Sequence, residues 1–115
     1  MHKLGQWAEE LAHQYLCKQG LLPVERNYRC KTGEIDLIML DGKILVFVEV
    51  RYRKNQRYGG SMASIDIRKQ QKILTVATSY LQKYGDQQCR FDVVLVDGVV
   101  EKPQLNWIAD AFRAE

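Results

Sequence analysis

The sequence is short of the residues on which several common chemistries depend. It holds three cysteines, Cys17, Cys30 and Cys89, widely spaced and odd in number, and two histidines, His2 and His13. Without a C-x-x-C pair and with so little histidine, a structural zinc site has no ligand set to build on. The thiols read instead as free cysteines kept reduced in a cytoplasm. The same shortage argues against a Ser-His or Cys-His nucleophile system. Long apolar runs are missing too. The longest, ILVFV at 44–48, stops at Glu49, well short of the roughly 20 residues a membrane helix needs. The opening MHKLGQWAEELAHQYL carries acids and no apolar block, so it does not read as a secretory signal. With two prolines and no repeat or low-complexity tract, nothing divides the chain.

What is present fits one soluble domain. A length of 115 residues, 46% hydrophobic and 27% charged, is enough for one core and one site. The net charge of +3 is small, but its distribution is uneven. Residues 43–72 hold eight bases (Lys43, Arg51, Arg53, Lys54, Arg57, Arg68, Lys69, Lys72) against two acids, Glu49 and Asp66. Residues 32–42 hold three acids and no base. A basic run is often only a solvated loop, but it is also the footprint of phosphate binding through counterion release.

Leu4, Trp7, Ala8, Leu11, Ala12, Tyr15 and Leu16 recur at helical spacing, with Gly20 as a stop, and predict a first helix. A strand follows at about Val24–Arg29. GEIDLIML and KILVFVEV flank Asp41-Gly42, a hairpin signal. After the polar loop RYRKNQRYGGSMAS, a second helix is expected from about Ser64 to Tyr84, closed by Gly85. RFDVVLVDG reads as a strand ending at a second Asp-Gly turn, VVEKPQ as a short edge strand because of Pro103, and LNWIADAF as a terminal helix or turn. The expectation is an α/β single domain, a mixed β-sheet flanked by helices with an α-β-β-β-α-β core.

The hairpin is the informative element. Strand side chains alternate, so Glu34 and Asp36 share one face of its first strand, and Phe47, Glu49 and Arg51 share one face of its second. An even-length loop sets Asp36, Glu49 and Arg51 on a common face, and only an odd loop or a bulge separates them. Opposed residues have Cβ atoms about 5 Å apart, so the two acids need compensation. Salt bridges to Arg51 or Arg29 supply one kind, and a divalent cation held between the carboxylates supplies another. The apolar stripe of the second helix turns polar toward its start at Lys69 and Gln70, consistent with a polar cavity there or with a face running out of core. Glu9 borders the stripe of the first helix.

The segments GQWAEELAHQYL, RNYRCKTGEIDLIML, VFVEVRYR, KQQKILTVATSYL and RFDVVLV resemble the YraN family of small bacterial proteins over nearly the whole chain. That family is similar in fold to the PD-(D/E)XK nucleases, notably archaeal Holliday-junction resolvases and the catalytic domain of tRNA-splicing endonucleases. The resemblance implies a restriction-endonuclease or resolvase-like fold and a phosphodiesterase dependent on Mg²⁺ or Mn²⁺. In it Asp36 takes the place of the motif aspartate, Glu49 that of the acid in E-x-K, and Glu9 that of an acid from the first helix. The backbone carbonyl of Val50 is implied as a further metal ligand, and Lys69 or Gln70 as the polar group of the second helix. Arg51 stands where lysine is usual. A guanidinium does not deprotonate in a protein and so is no general base, but it donates hydrogen bonds to phosphate.

Two functions of different class follow. One is a metal-dependent endonuclease acting on nucleic acid, DNA foremost and branched DNA included. In it Arg29, Arg53, Lys54 and Arg57 grip phosphates, and Tyr52 and Tyr58 stack on bases or serve as packing residues. The other is a nucleic-acid-binding or protein-adaptor module on the same fold with little or no catalysis. Resolvase-like analogy also implies a homodimer, and no membrane is involved.

Overall fold

Ala8, Ala12 and Leu16 recur every fourth residue and are all buried, giving a flat stripe that lets a helix lie close on a sheet. That helix, α1 (Lys3–Lys18), is the first element of a computed structural model that describes residues 3–53 and 65–114. It closes in a Schellman motif. Leu21 N–H donates to the Leu16 carbonyl at 3.1 Å and Gly20 N–H to that of Cys17 at 3.0 Å. Gly20 has φ +102°, which the reversal needs. Leu21 is buried with Leu16 in one apolar cluster, so the cap also turns the chain down onto the sheet.

There follow β1 (Leu22–Cys30), β2 (Gly33–Asp41), β3 (Ile44–Arg53), α2 (Ile67–Tyr84), β4 (Cys89–Val99) and β5 (Lys102–Phe112). The strands form one sheet in the order β1-β2-β3-β4-β5. β3 and β4 are parallel, with α2 between them in sequence, and the other pairs are antiparallel. Each face carries a core. On one, Ala8, Ala12 and Leu16 of α1 pack with Leu37, Met39, Val46, Val48, Val94 and Val96. On the other, Ile73, Val76, Ala77 and Tyr80 of α2 pack with Ile35, Ile38, Phe47, Val93 and Leu95. The result is a single α/β domain with a five-stranded mixed sheet and two helices. No helix among the described residues is long and apolar enough to cross a membrane.

Four boundaries differ from the sequence expectation. Helix α2 starts at Ile67 rather than near Ser64, because Asp66 caps it and accepts the Lys69 N–H at 2.9 Å. The first hairpin turns on Gly42–Lys43, with Asp41 paired to Ile44. Gly42 has φ +62°, at the position where a primed hairpin turn calls for glycine. Asp41 stays in the strand and binds Arg90 Nη1 at 2.9 Å. The second hairpin turns beyond Asp97-Gly98, since Val99 pairs with Lys102, and buried Asp97 is held by Arg53.

The last correction is the largest: residues 105–112 form neither helix nor turn but the body of β5. Trp107, Ile108, Ala111 and Phe112 have helix-like spacing because three residues of β5 lie opposite Asp92, between the pairs Val93↔Ile108 and Phe91↔Phe112. Asp110, at φ +54°, donates its N–H to Asp92 at 2.9 Å, and the bulge switches the strand's faces. Leu105 and Trp107 thus pack on the α1 side, and Ile108, Ala111 and Phe112 on the α2 side.

Candidate functional site

Strand β2 slips once, and the slip falls on Asp36. Ile35 and Ile38 both belong to the α2-side core, whereas Leu37 and Met39 belong to the α1-side core. Strict alternation would not allow this. The residue of β1 lying between the pairs Arg26↔Leu37 and Tyr28↔Ile35 is Asn27, which has φ +52°, so both strands depart from regular geometry together. Toward β3 the paired ladder runs from Asp41↔Ile44 to Leu37↔Val48. Past it, the Asp36 side chain takes over the role of a strand partner: Oδ2 accepts the Val50 N–H at 2.8 Å.

Asp36 therefore sits between two groups of charges. On one side are Glu9 of α1 and Glu34, each offering a carboxylate oxygen, all three within 4.8 Å of one another. Asn27 Nδ2 donates to Glu9 Oε1 and to Glu34 Oε2, both at 3.0 Å, and orients the pair. Exposed Arg29 reaches Glu34 at 3.1 Å, rather than Asp36 or Glu49, the two acids it was expected to compensate. On the other side is Glu49, only 5% exposed. Lys69 Nζ of α2 lies 3.5 Å from it and Arg51 Nη1 4.0 Å.

Burial pushes the Asp36 carboxyl up to about 8; Glu49, and more weakly Glu9 and Glu34, push the same way, against the Val50 N–H. Burial also raises Glu49, opposed by Lys69 and Arg51 and by a hydrogen bond with Asp36. The two acids thus behave as a proton-sharing pair. Glu49 has cations at hand; Asp36, at the centre, has an amide and three acids.

The expected residues separate into those the fold gathers here and those it does not. Asp36, Glu49, Glu9, Arg51 and Lys69 converge, and Val50 joins through its N–H. Gln70 does not: its Nε2 donates to the Ile65 carbonyl at 3.0 Å and tethers the segment before α2. Arg53 makes a two-pronged ion pair with Asp97 at 2.7 and 3.0 Å. Tyr52 packs edge-on against Trp7 and donates its hydroxyl to the Gly98 carbonyl at 3.1 Å, so it serves as a packing residue. Lys54, Arg57 and Tyr58 lie outside the described residues.

Two members were not singled out from the sequence. Glu34 stands two residues before Asp36, a spacing that marks it as a neighbour on a regular strand. Asn27 carried no local signal, because its role depends on the β1–β2 register.

The model of the uncharacterised protein family UPF0102 matches residues 8–96, a span that contains every residue of this cluster. A UPF0102 protein of Stutzerimonas stutzeri is 48% identical over 113 residues, covering 96% of this chain and 94% of its own. One from Methylobacillus flagellatus is 48% identical over 114 residues, covering 99% and 100%.

Proposed function

Since the chain belongs to the uncharacterised protein family UPF0102, a family description assigns no chemistry and the site itself must suggest one; we propose a divalent-metal-dependent phosphodiesterase that binds and cleaves nucleic acid, DNA foremost. One observation carries this reading. A half-buried aspartate, Asp36, is surrounded by Glu9, Glu34 and buried Glu49, with Lys69 and Arg51 on the flank of Glu49.

The donor set suits the cation. Three carboxylate oxygens within 4.8 Å, with no nitrogen or sulfur among them, match the hard, oxygen-ligated ions Mg²⁺ and Mn²⁺. Asp36 would hold the metal with Glu9 and Glu34 or with Glu49. When bound, the metal supplies a lowered pKa for water and stabilisation of charge developing on phosphate. The remaining roles fall to the chain. Asn27 fixes the directions of Glu9 and Glu34. Lys69 provides the ammonium beside Glu49 that Arg51, as a guanidinium, replaces in the E-x-K pattern; it holds water or a phosphate oxygen. Arg51 donates to phosphate and takes no proton. The PD-(D/E)XK likeness, the homodimer and a reducing cytoplasmic setting, consistent with three free thiols, belong to the same reading.

The test is cleavage of end-labelled single strand, duplex, flap and four-way junction in Mg²⁺ and in Mn²⁺. The wild-type protein is expected to cut at least one, and Asp36→Asn none. Arg51 favours a second reading, a nuclease-like fold that binds without cutting. Salt-sensitive binding without cleavage supports that reading, and absence of both overturns the two together.

A further inference from the structure

A second surface lies on the opposite side of β2 from Glu9. Two adjoining hollows of about 480 and 340 Å³ share Thr32 and Thr75 and run along α2 beside the β1–β2 turn. The helix contributes Arg68, Lys72, Thr75 and Thr78 at spacings of three and four residues, so they form one stripe. The turn contributes Lys31 and Thr32. No acidic side chain lines either hollow among the described residues. Arg68, Lys72 and Lys31 are all exposed. None of the three makes a salt bridge to a described residue, although Arg26, Arg29, Arg90 and Arg113 all do.

We propose that this groove is a backbone track for nucleic acid, in which Arg68, Lys72 and Lys31 bind successive phosphates of the strand leading to or from the carboxylate cluster. The inference rests on the phosphodiesterase reading and extends it to the path of the substrate. Its cationic end adjoins the site: Lys72 follows Lys69 by one helical turn, and Lys69 is the residue at Glu49. From Arg68 to Thr78 the stripe is about 15 Å long at the helical rise, room for several phosphates. The hydroxyls in it add little recognition. Thr75 and Thr78 donate to the carbonyls of Gln71 and Leu74, both at 2.9 Å, and Thr32 is engaged with Cys30 at 3.1 Å. The three cations are the charged groups of the lining, with Gln71, Ser79 and Gln82 as its other polar side chains, so the contact is mainly electrostatic and made to the backbone, which carries no base sequence.

The experiment measures the salt dependence of metal-free binding to a labelled duplex and a single strand. It compares wild type, a Lys31→Gln/Arg68→Gln/Lys72→Gln variant, and a control with the same charge loss elsewhere, Lys18→Gln/Lys43→Gln/Lys102→Gln. Each phosphate contact contributes about 0.9 to the slope of log K against log salt on duplex and about 0.7 on single strand. The groove variant is therefore expected to lose about 2 to 3 from the slope, with unchanged thermal stability, and the control to lose less than 1. A slope equal to that of the control, in a wild type that does bind, overturns the groove and leaves the phosphodiesterase reading standing. A wild type that binds neither substrate at low salt overturns both.

Discussion

Asp36 is an acid whose folded-state pKa, about 8, stands above its ordinary 3.8. Between those limits the folded protein keeps a proton that the unfolded chain has released. Its contribution to stability is therefore complete below about pH 4 and is lost as the pH rises through about 8. Glu49 is raised as well and acts in the same direction. Asp36→Asn, which is neutral throughout, is expected to be the more stable protein at pH 8 in chelator, with the difference shrinking toward pH 4. Urea titrations at the two pH values measure it, and a constant difference would show that the carboxyl does not titrate in this window. The Arg53–Asp97 pair is structural by contrast. Both side chains are largely buried, at 16% and 6% exposure, so Asp97→Ala removes a two-pronged ion pair from a guanidinium that is mostly out of solvent. A loss of about 2 kcal/mol is expected, read as a lower midpoint in urea.

Helix α2 brings Lys69 to Glu49 in its first turn, held by the Asp66 cap. Asp66→Ala is expected to cost about 1 kcal/mol and to lower cleavage more than an equally destabilising change near the C-terminal end of the helix. Parallel stability and rate measurements separate the two effects. The hairpin was legible because a period of two and antiparallel pairing suffice to bring Asp36 and Glu49 to one end of a sheet. The resemblance supplied Glu9. The slip at Asp36 was not legible, since it needs Asn27 on another strand in a left-handed conformation. The turns moved for a similar reason. Asp41 and Asp97 look like turn residues locally, yet Arg90 and Arg53 hold them in strands from 49 and 44 positions away. In β5 the bulge opposite Asp92 gave a strand the spacing of a helix.

At the scale of the molecule, α1, β1, β2, β3 and α2 each contribute to the cluster through Glu9, Asn27, Asp36, Glu49 and Lys69. No single element contains the site, so it assembles only when both helices have docked on their own faces of the sheet. The two outermost strands share another property. In β1, Val24 is an extra residue between the pairs Pro23↔Met39 and Glu25↔Ile38, and Asn27 is left-handed. In β5, Pro103 lacks an N–H and Asp110 breaks the strand's alternation. Neither border offers a straight row of free amides and carbonyls along its whole length, so each is a poor template for a foreign strand. The same irregularities work against a sheet continuous across two copies, and against the fibrils that such a sheet would seed.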